Sequence, residues 1–255
     1  FDLTGKTALV TGGSRGLGLQ LAHALGEAGA RIMLSARKAQ ELEEATAELQ
    51  AAGIDARWIA ADCSQEADIH RLASDTLERM GDVDILVNNA GASWGAPAED
   101  HPIAAWDKVM NLNVRGYFLL SQYLAKHSMI ARTSGSIINI SSIAGLGGNP
   151  RGMQTLAYNT SKGAVLSFTR TLAAEWGHYG IRVNALCPGF FRTKLANGLI
   201  DQLGEDHMTA NVPLGRLGGD DDLKGAALLF ASDAGKHITG QFVAVDGGVS
   251  VVTAG

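Results

Sequence analysis

Short, nearly unbroken apolar runs alternate with segments of helical periodicity along this chain, and that alternation limits the fold more than any other feature. Lys6–Thr11 (KTALVT), Arg31–Ala36, Ala56–Ala60, Asp84–Val87, Gly135–Ile140, Arg182–Leu186 and Phe242–Val245 read as strands. Gly16–Ala28, with Leu17, Leu21, Ala24 and Leu25 at helical spacing, reads as the first helix. Gln40–Ala51, Glu66–Met80, a long segment from Ala104 to Ser128, the segment around Tyr158 and Asp221–Ala231 supply the others. Runs that are apolar on both sides of a strand, rather than alternating, fit a parallel sheet covered by helices on both faces. Right-handed crossovers then give one α/β, doubly wound domain over residues 1–255 with seven parallel strands. Gly145–Thr155 and Phe190–Gly219 fit neither period. Both follow strand ends, where such sheets bind ligands and where long loops act as lids.

The first strand runs straight into TGGSRGLG (Thr11–Gly18), which opens the first helix. Glycines here let the backbone turn sharply and approach a pyrophosphate, and the helix start offers amides and partial positive charge. The spacing is G-x3-G-x-G. The second strand ends in Ser35-Ala36-Arg37. An acidic side chain at that end would accept adenosine ribose hydroxyls and favour NAD. Ala36 stands there instead, with Arg37 next to it and Arg15 in the glycine turn. Two guanidinium groups can clamp a 2′-phosphate, so NADP(H) is expected over NAD(H). Alternatively, Arg37 only faces solvent beside Glu41 and Glu44.

Tyr158 and Lys162 are four residues apart in LAYNTSKGAVLSFTRTLAAEW, where Ala164, Val165, Phe168 and Leu172 mark a helix. They therefore share one helix face. An ammonium beside a phenol makes its proton easier to lose, which suits proton transfer near neutral pH. Ser142 lies sixteen residues before the tyrosine. A YxxxK pair alone recurs by chance in helices; its weight comes from what surrounds it.

Taken in order, TGGSRGLG, NNAG (Asn88–Gly91), ISS (Ile140–Ser142), YNTSK (Tyr158–Lys162), PGFFRT (Pro188–Thr193) and DGG (Asp246–Gly248) resemble the short-chain dehydrogenase/reductase family in its single-domain form of about 250 residues, a Rossmann-type fold. The resemblance implies roles. Ser142 holds the substrate oxygen, with Ser141 structural. Tyr158 is the general acid or base, and Lys162 binds the nicotinamide ribose and lowers the tyrosine pKa. Asn113, rather than Asn111, matches the asparagine of an NxxxxF pattern ending at Phe118 and holds a relay water. The cofactor is then lined by Gly12, Ser14, Arg15, Gly16, Leu17 and Gly18 of the turn, with Arg37, Asp62 and Cys63 near the adenosine. Asn89, Ala90 and Gly91, and further on Pro188, Gly189 and Thr193, complete the lining with Tyr158 and Lys162. Asn89 has a second possible role, bridging neighbouring strands through its amide. Tetramers are common in the family, so a homotetramer is expected.

Composition removes other classes. Net charge is −5 and no Lys/Arg run exceeds two residues, which argues against nucleic acid. No apolar stretch approaches the ~20 residues that span a bilayer. Cys63, Cys187 and the seven histidines lack metal or redox spacing, so no metal site is expected, and the thiols read as reduced and buried in a cytoplasmic protein. NNAGASWGAPAE looks like the branch containing 3-oxoacyl reductases and gluconate 5-dehydrogenases. Trp94, with Phe190 and Phe191 expected across from it, suits an acyl chain; Arg151 and Arg192 would suit a sugar acid. A ketone or secondary alcohol is therefore the expected small-molecule substrate, a 3-oxoacyl thioester first. A polyol or sugar-acid dehydrogenase and a dinucleotide-sensing scaffold are the alternatives. The gap from Ser142 to Tyr158 is three residues longer than in many ketoacyl reductases, and LGGNPRGMQT, which holds the extra residues, should border the substrate.

Overall fold

The computed structural model describes residues 1–150, 152–193, 198, 200–201 and 204–252. Among these, one sheet joins seven parallel strands: β1 (Thr7–Thr11), β2 (Arg31–Ala36), β3 (Ala56–Ala60), β4 (Ile85–Asn88), β5 (Gly135–Ile140), β6 (Ile181–Pro188) and β7 (Phe242–Val245). Their order is β3-β2-β1-β4-β5-β6-β7. Val10 of β1 pairs with Leu34 of β2 on one side and Val87 of β4 on the other. The strand order reverses there, and the crevice beyond those carboxyl ends is where such sheets take ligands.

The helices are α1 (Gly16–Glu27), α2 (Ala39–Ala51), α3 (Glu66–Met80), α4 (Ile103–Met110), α5 (Gly116–Leu124), α6 (Ile130–Arg132), α7 (Leu156–Trp176), α8 (Glu205–Thr209) and α9 (Lys224–Ala231). Successive strand residues point to opposite faces. Ala8 and Val10 pack with Leu21, Leu42 and Phe230, so α1, α2 and α9 cover one face. Leu9 packs with Leu72, Leu120 and Leu172, so α3, α5 and α7 cover the other. Both faces of β1 are fully buried, which is why its sequence shows no polar alternation.

Two segments depart from their apolar periodicity. The long segment from Ala104 is α4 and α5 separated by a π turn, Asn111–Arg115, with a second π turn at Ala125–Met129. Gly116 follows the first π turn because a β-carbon there would lie 2.3 Å from the Cys63 carbonyl oxygen. The last helix begins at Lys224 rather than Asp221. Asp222 instead accepts the Gly219 amide at 2.7 Å and pairs with Arg216, which closes a turn ahead of the helix.

A buried polar chain ties the centre of the sheet to its helices. Asn88 and Asn139 are partners across β4 and β5, and the Asn88 amide nitrogen donates to the Asn139 amide oxygen at 2.9 Å. Asn88 also donates to Ser121 of α5, and Asn139 to Thr169 of α7, each at 3.0 Å. Buried amide donors paired across strands fix register, since a slip would orphan them.

Candidate active site

The glycine turn between β1 and α1 is a close-packed backbone crossing. Gly12 and Gly16 have φ of 62° and 54°, in the left-handed region where glycine carries no penalty. A β-carbon on Gly18 would sit 2.2 Å from the Gly12 carbonyl oxygen, so the start of α1 reaches this position only as glycine. Arg15 at the N-cap supplies no side-chain cap and the first turn carries no acid, so its amides are left for an external anion. Thr193 lies 3.5 Å from the β-carbon position of Gly16, which brings PGFFRT to the same turn. Gly189 of that motif packs on Asp246, too close for any side chain, and its amide donates to Val245.

NNAG serves this turn and the reaction end together. Asn89 donates its amide to the carbonyls of Thr11 (2.9 Å) and Gly12 (3.1 Å). The Thr11 hydroxyl accepts the backbone amides of Asn89 and Ala90 and donates to Val87. Asn89 is thus a bridge between β4 and the glycine turn. Gly91 stands farther out. A β-carbon there would touch Asn113 at 3.5 Å and Lys162 Nζ at 3.7 Å, so this space stays open because residue 91 has no side chain.

Ser142, Tyr158 and Lys162 meet at the carboxyl end of β5. Ser142 caps a short 3-10 turn, Ile143–Gly145, accepting the Ala144 amide at 3.1 Å, and its side chain neighbours the Tyr158 phenol. Lys162 is 3% exposed; its Nζ donates to the Ile140 carbonyl at 2.7 Å and lies 5.6 Å from the ring centres of both Tyr158 and Tyr117. Ser141 donates to the Lys162 carbonyl at 2.8 Å, the structural part expected of it. Asn113 reaches the same corner from the π turn, whose wider ladder is frequent at functional sites. Its amide oxygen accepts from Ala92 and its nitrogen donates to the Ala92 carbonyl and the Ser161 hydroxyl, all at 2.9 Å.

The electrostatics differ from the sequence expectation. Burial pushes the Tyr158 phenol up, and the Ser142 hydrogen bond only partly offsets it. Burial also penalises the neighbouring Lys162 ammonium and brings its pKa down to about 8. Cys187, near the end of β6, lies under this corner beside Ser141 and Ser142. Burial raises its thiol to about 11 and that of Cys63 to about 12, so neither is a thiolate near neutrality.

Other expectations meet the structure as follows. Asp62 follows β3 and accepts the amide and hydroxyl of Ser64. The Cys63 side chain turns into the core against α3 and α5, leaving only its backbone for a ligand. Leu17 packs partly buried against the core. Arg15 pairs with Glu41, while Arg37 is exposed and makes no ion pair among the described residues. Pro188 is buried as the last residue of β6. Phe191 is a correction: it is 3% exposed and packed on Gly218 and the core, so it cannot face Trp94 across a mouth. Phe190 joins a small cluster with Met208 and Leu217. Arg192 pairs with Glu205, and Arg151 lies outside the described residues. Within the described part of LGGNPRGMQT, Asn149 donates to the Met153 carbonyl at 3.0 Å and the Thr155 hydroxyl at 2.7 Å, and accepts from Asn159 of α7. A cavity of about 530 Å³ lined by Lys6, Asp84, Arg182 and His237 opens at the amino ends of the strands, away from this corner.

The family model described as enoyl-(acyl carrier protein) reductase matches residues 12–250. The chain is 40% identical to the rhamnolipids biosynthesis 3-oxoacyl-[acyl-carrier-protein] reductase of Pseudomonas aeruginosa over 97% of each chain. It is 39% identical to gluconate 5-dehydrogenase of Gluconobacter oxydans over 98% of this chain and 97% of that one. This chain belongs to the short-chain dehydrogenase/reductase family. Its fold superposes on a gluconate 5-dehydrogenase from Burkholderia cenocepacia, solved with NADP and tartrate, with TM-score 0.93 and 37% identity over 99% and 98% of the two chains. It is therefore an oxidoreductase that interconverts CH–OH and C=O groups. The residues that sequence reasoning missed are supports: Ser161 behind Asn113, Tyr117 beside Lys162, and Cys187 beneath Ser142. The missing signal was distance along the chain, since each is brought in by a separate element.

Proposed function

We propose that this short-chain dehydrogenase/reductase is an NADP(H)-linked carbonyl reductase whose preferred substrate is a 3-oxoacyl thioester. The observation that carries the reading is the corner where Ser142, Tyr158 and Lys162 meet beside the open space at Gly91. A nicotinamide cofactor fits the residues present: the Gly12–Gly18 crossing with its uncapped helix start suits a pyrophosphate, and the gap at Gly91 lies against Lys162. NADPH supplies the hydride. Gly12, Ser14, Arg15, Gly16, Leu17 and Gly18 would hold its phosphates, with Arg37 at the 2′-phosphate. Asp62, the Cys63 backbone, Asn89, Ala90, Gly91, Pro188, Gly189 and Thr193 would line the rest.

Ser142 and Tyr158 together orient the substrate oxygen and stabilise the charge that develops on it; losing one such donor costs ~100-fold or more in rate. Tyr158 gives its proton to that oxygen, or takes one in the alcohol direction. Lys162 holds a positive charge near the phenol and a ribose hydroxyl. Asn113, in releasing the Ala92 carbonyl, could hold a relay water.

Trp94, 43% exposed on the loop that bridges through Ala96 to Thr155, supports an apolar acyl group. The second reading is a sugar-acid or polyol dehydrogenase. It is favoured by the similar identity to gluconate 5-dehydrogenase and by Lys108, whose Nζ lies 5.8 Å from the Trp94 ring. A single domain with a cytoplasmic location fits a chain whose strands share one sheet and whose described helices are none long and apolar enough to cross a membrane. A homotetramer fits the exposed Phe118, Leu156 and edge-strand Phe242. Steady-state NADPH oxidation with acetoacetyl thioesters and with 5-ketogluconate, each repeated with NADH, tests the reading. Faster turnover of the thioester with NADPH supports it, whereas 5-ketogluconate turned over faster replaces it with the second.

A further inference from the structure

We infer that Glu41 sets the nucleotide selectivity of this enzyme: it is a built-in anion that holds the phosphate-binding cluster at the end of β2 until a 2′-phosphate displaces it. The inference rests on the NADP(H) reading above. Among the described residues, the Glu41 carboxylate gathers at least three donors from two separate segments. Arg15 of the glycine turn forms an ion pair with it, and the Ser14 hydroxyl approaches it at 3.5 Å. Lys38, where α2 begins, donates to its other oxygen at 2.9 Å. Hydroxyl, guanidinium and ammonium are the donor types that a phosphate monoester recruits. They stand between the glycine turn and the end of β2, where a doubly wound sheet places the adenosine ribose. Arg37, exposed next to Lys38, adds a third cation.

The consequence is directional. A ribose hydroxyl leaves the Glu41 pairs intact. A 2′-phosphate must break them or share their cations, and it meets the carboxylate as a like charge. Glu41 therefore weakens binding of the phosphorylated cofactor more than that of the unphosphorylated one. The cluster can discriminate more strongly than the native enzyme does.

The test compares dissociation constants of NADP⁺, NAD⁺ and 2′-AMP for the full-length native protein, Glu41→Gln and Glu44→Gln. The last makes the same charge change one turn along α2, where Glu44 is tied to Gln40. With two exposed ion pairs released, Glu41→Gln should tighten NADP⁺ and 2′-AMP by about three- to tenfold. NAD⁺ should stay within about twofold, as should all three ligands with Glu44→Gln. Equal changes for NADP⁺ and NAD⁺, no change, or weaker NADP⁺ would overturn the inference, as would a selective loss of NAD⁺. Tighter binding of NAD⁺ than NADP⁺ by the native protein would instead remove the cofactor reading, and the 2′-AMP measurement would still decide the role of Glu41.

Discussion

Lys162 and Arg15 are both cations facing the same cleft, yet they are held in opposite ways. Lys162 is buried and fixed to a strand carbonyl, with Tyr117 and Tyr158 packed around it. Arg15 is half-exposed and held by an exchangeable side-chain carboxylate. The contrast extends to the neighbours. Asn113 has every amide group committed inside the corner, whereas Arg37 has no ion-pair partner among the described residues. Groups assigned to bond making are positioned before any ligand arrives, which spares reorganisation during reaction. Groups assigned to cofactor choice sit in water, where each pair is worth little and is readily exchanged.

The comparison breaks first at the phenol. Tyr158→Phe should lose turnover by ~100-fold or more while its NADPH affinity stays within a few-fold, read by steady-state kinetics and fluorescence titration. Retention of more than about a tenth of native turnover would remove Tyr158 from its assigned role. Next comes the glycine crossing. Gly18→Ala puts a β-carbon 2.2 Å from a backbone oxygen, so the turn must shift. NADPH binding should weaken at least tenfold, on the order of the ~1–3 kcal/mol that overpacking costs, and titration checks it. Unchanged binding would show that the crossing does not serve the cofactor.

Asn113→Ala should lower kcat and also stability, because it removes the partner of the partly buried Ala92 amide and carbonyl, at up to about 1–3 kcal/mol each. Urea midpoints and rates measured together separate the two, and loss of rate without loss of stability would show that Asn113 is not part of the frame. The smallest effect is on pH dependence. Lys162 has a folded pKa of about 8 against an ordinary 10.5, so the unfolded chain binds more protons between those values. Stability relative to Lys162→Met should therefore rise as pH increases from 8 toward 10.5. A difference that stays flat across this window would mean that the ammonium is solvated in the folded state.

Much of this was legible in the sequence. Unbroken apolar runs revealed strands buried on both faces, and glycines at Gly12, Gly16 and Gly18 marked a turn that only glycine permits. The motifs located Ser142, Tyr158 and Lys162 because family spacing fixes them on successive elements. Other features depend on contacts between segments far apart. A period of 3.6 cannot show the π turn that carries Asn113, since the widened ladder follows from packing of Gly116 on Cys63. Nor can spacing show that Phe191 turns inward onto Gly218, or that burial outweighs the Ser142 hydrogen bond at Tyr158. The pairing of Arg15 with Glu41 was out of reach for the same reason: 26 residues separate them.

The central claim is that the protein alone holds the phenol protonated and that the bound cofactor makes it usable. Oxidised nicotinamide is cationic and favours phenolate. Phenolate absorbance of the native protein minus Tyr158→Phe, titrated with and without NADP⁺, tests this directly. The expected result is a midpoint above the ordinary tyrosine value of about 10 in the free protein and a clear fall on adding NADP⁺. A free-protein midpoint below about 10, or one that NADP⁺ leaves unmoved, would contradict it.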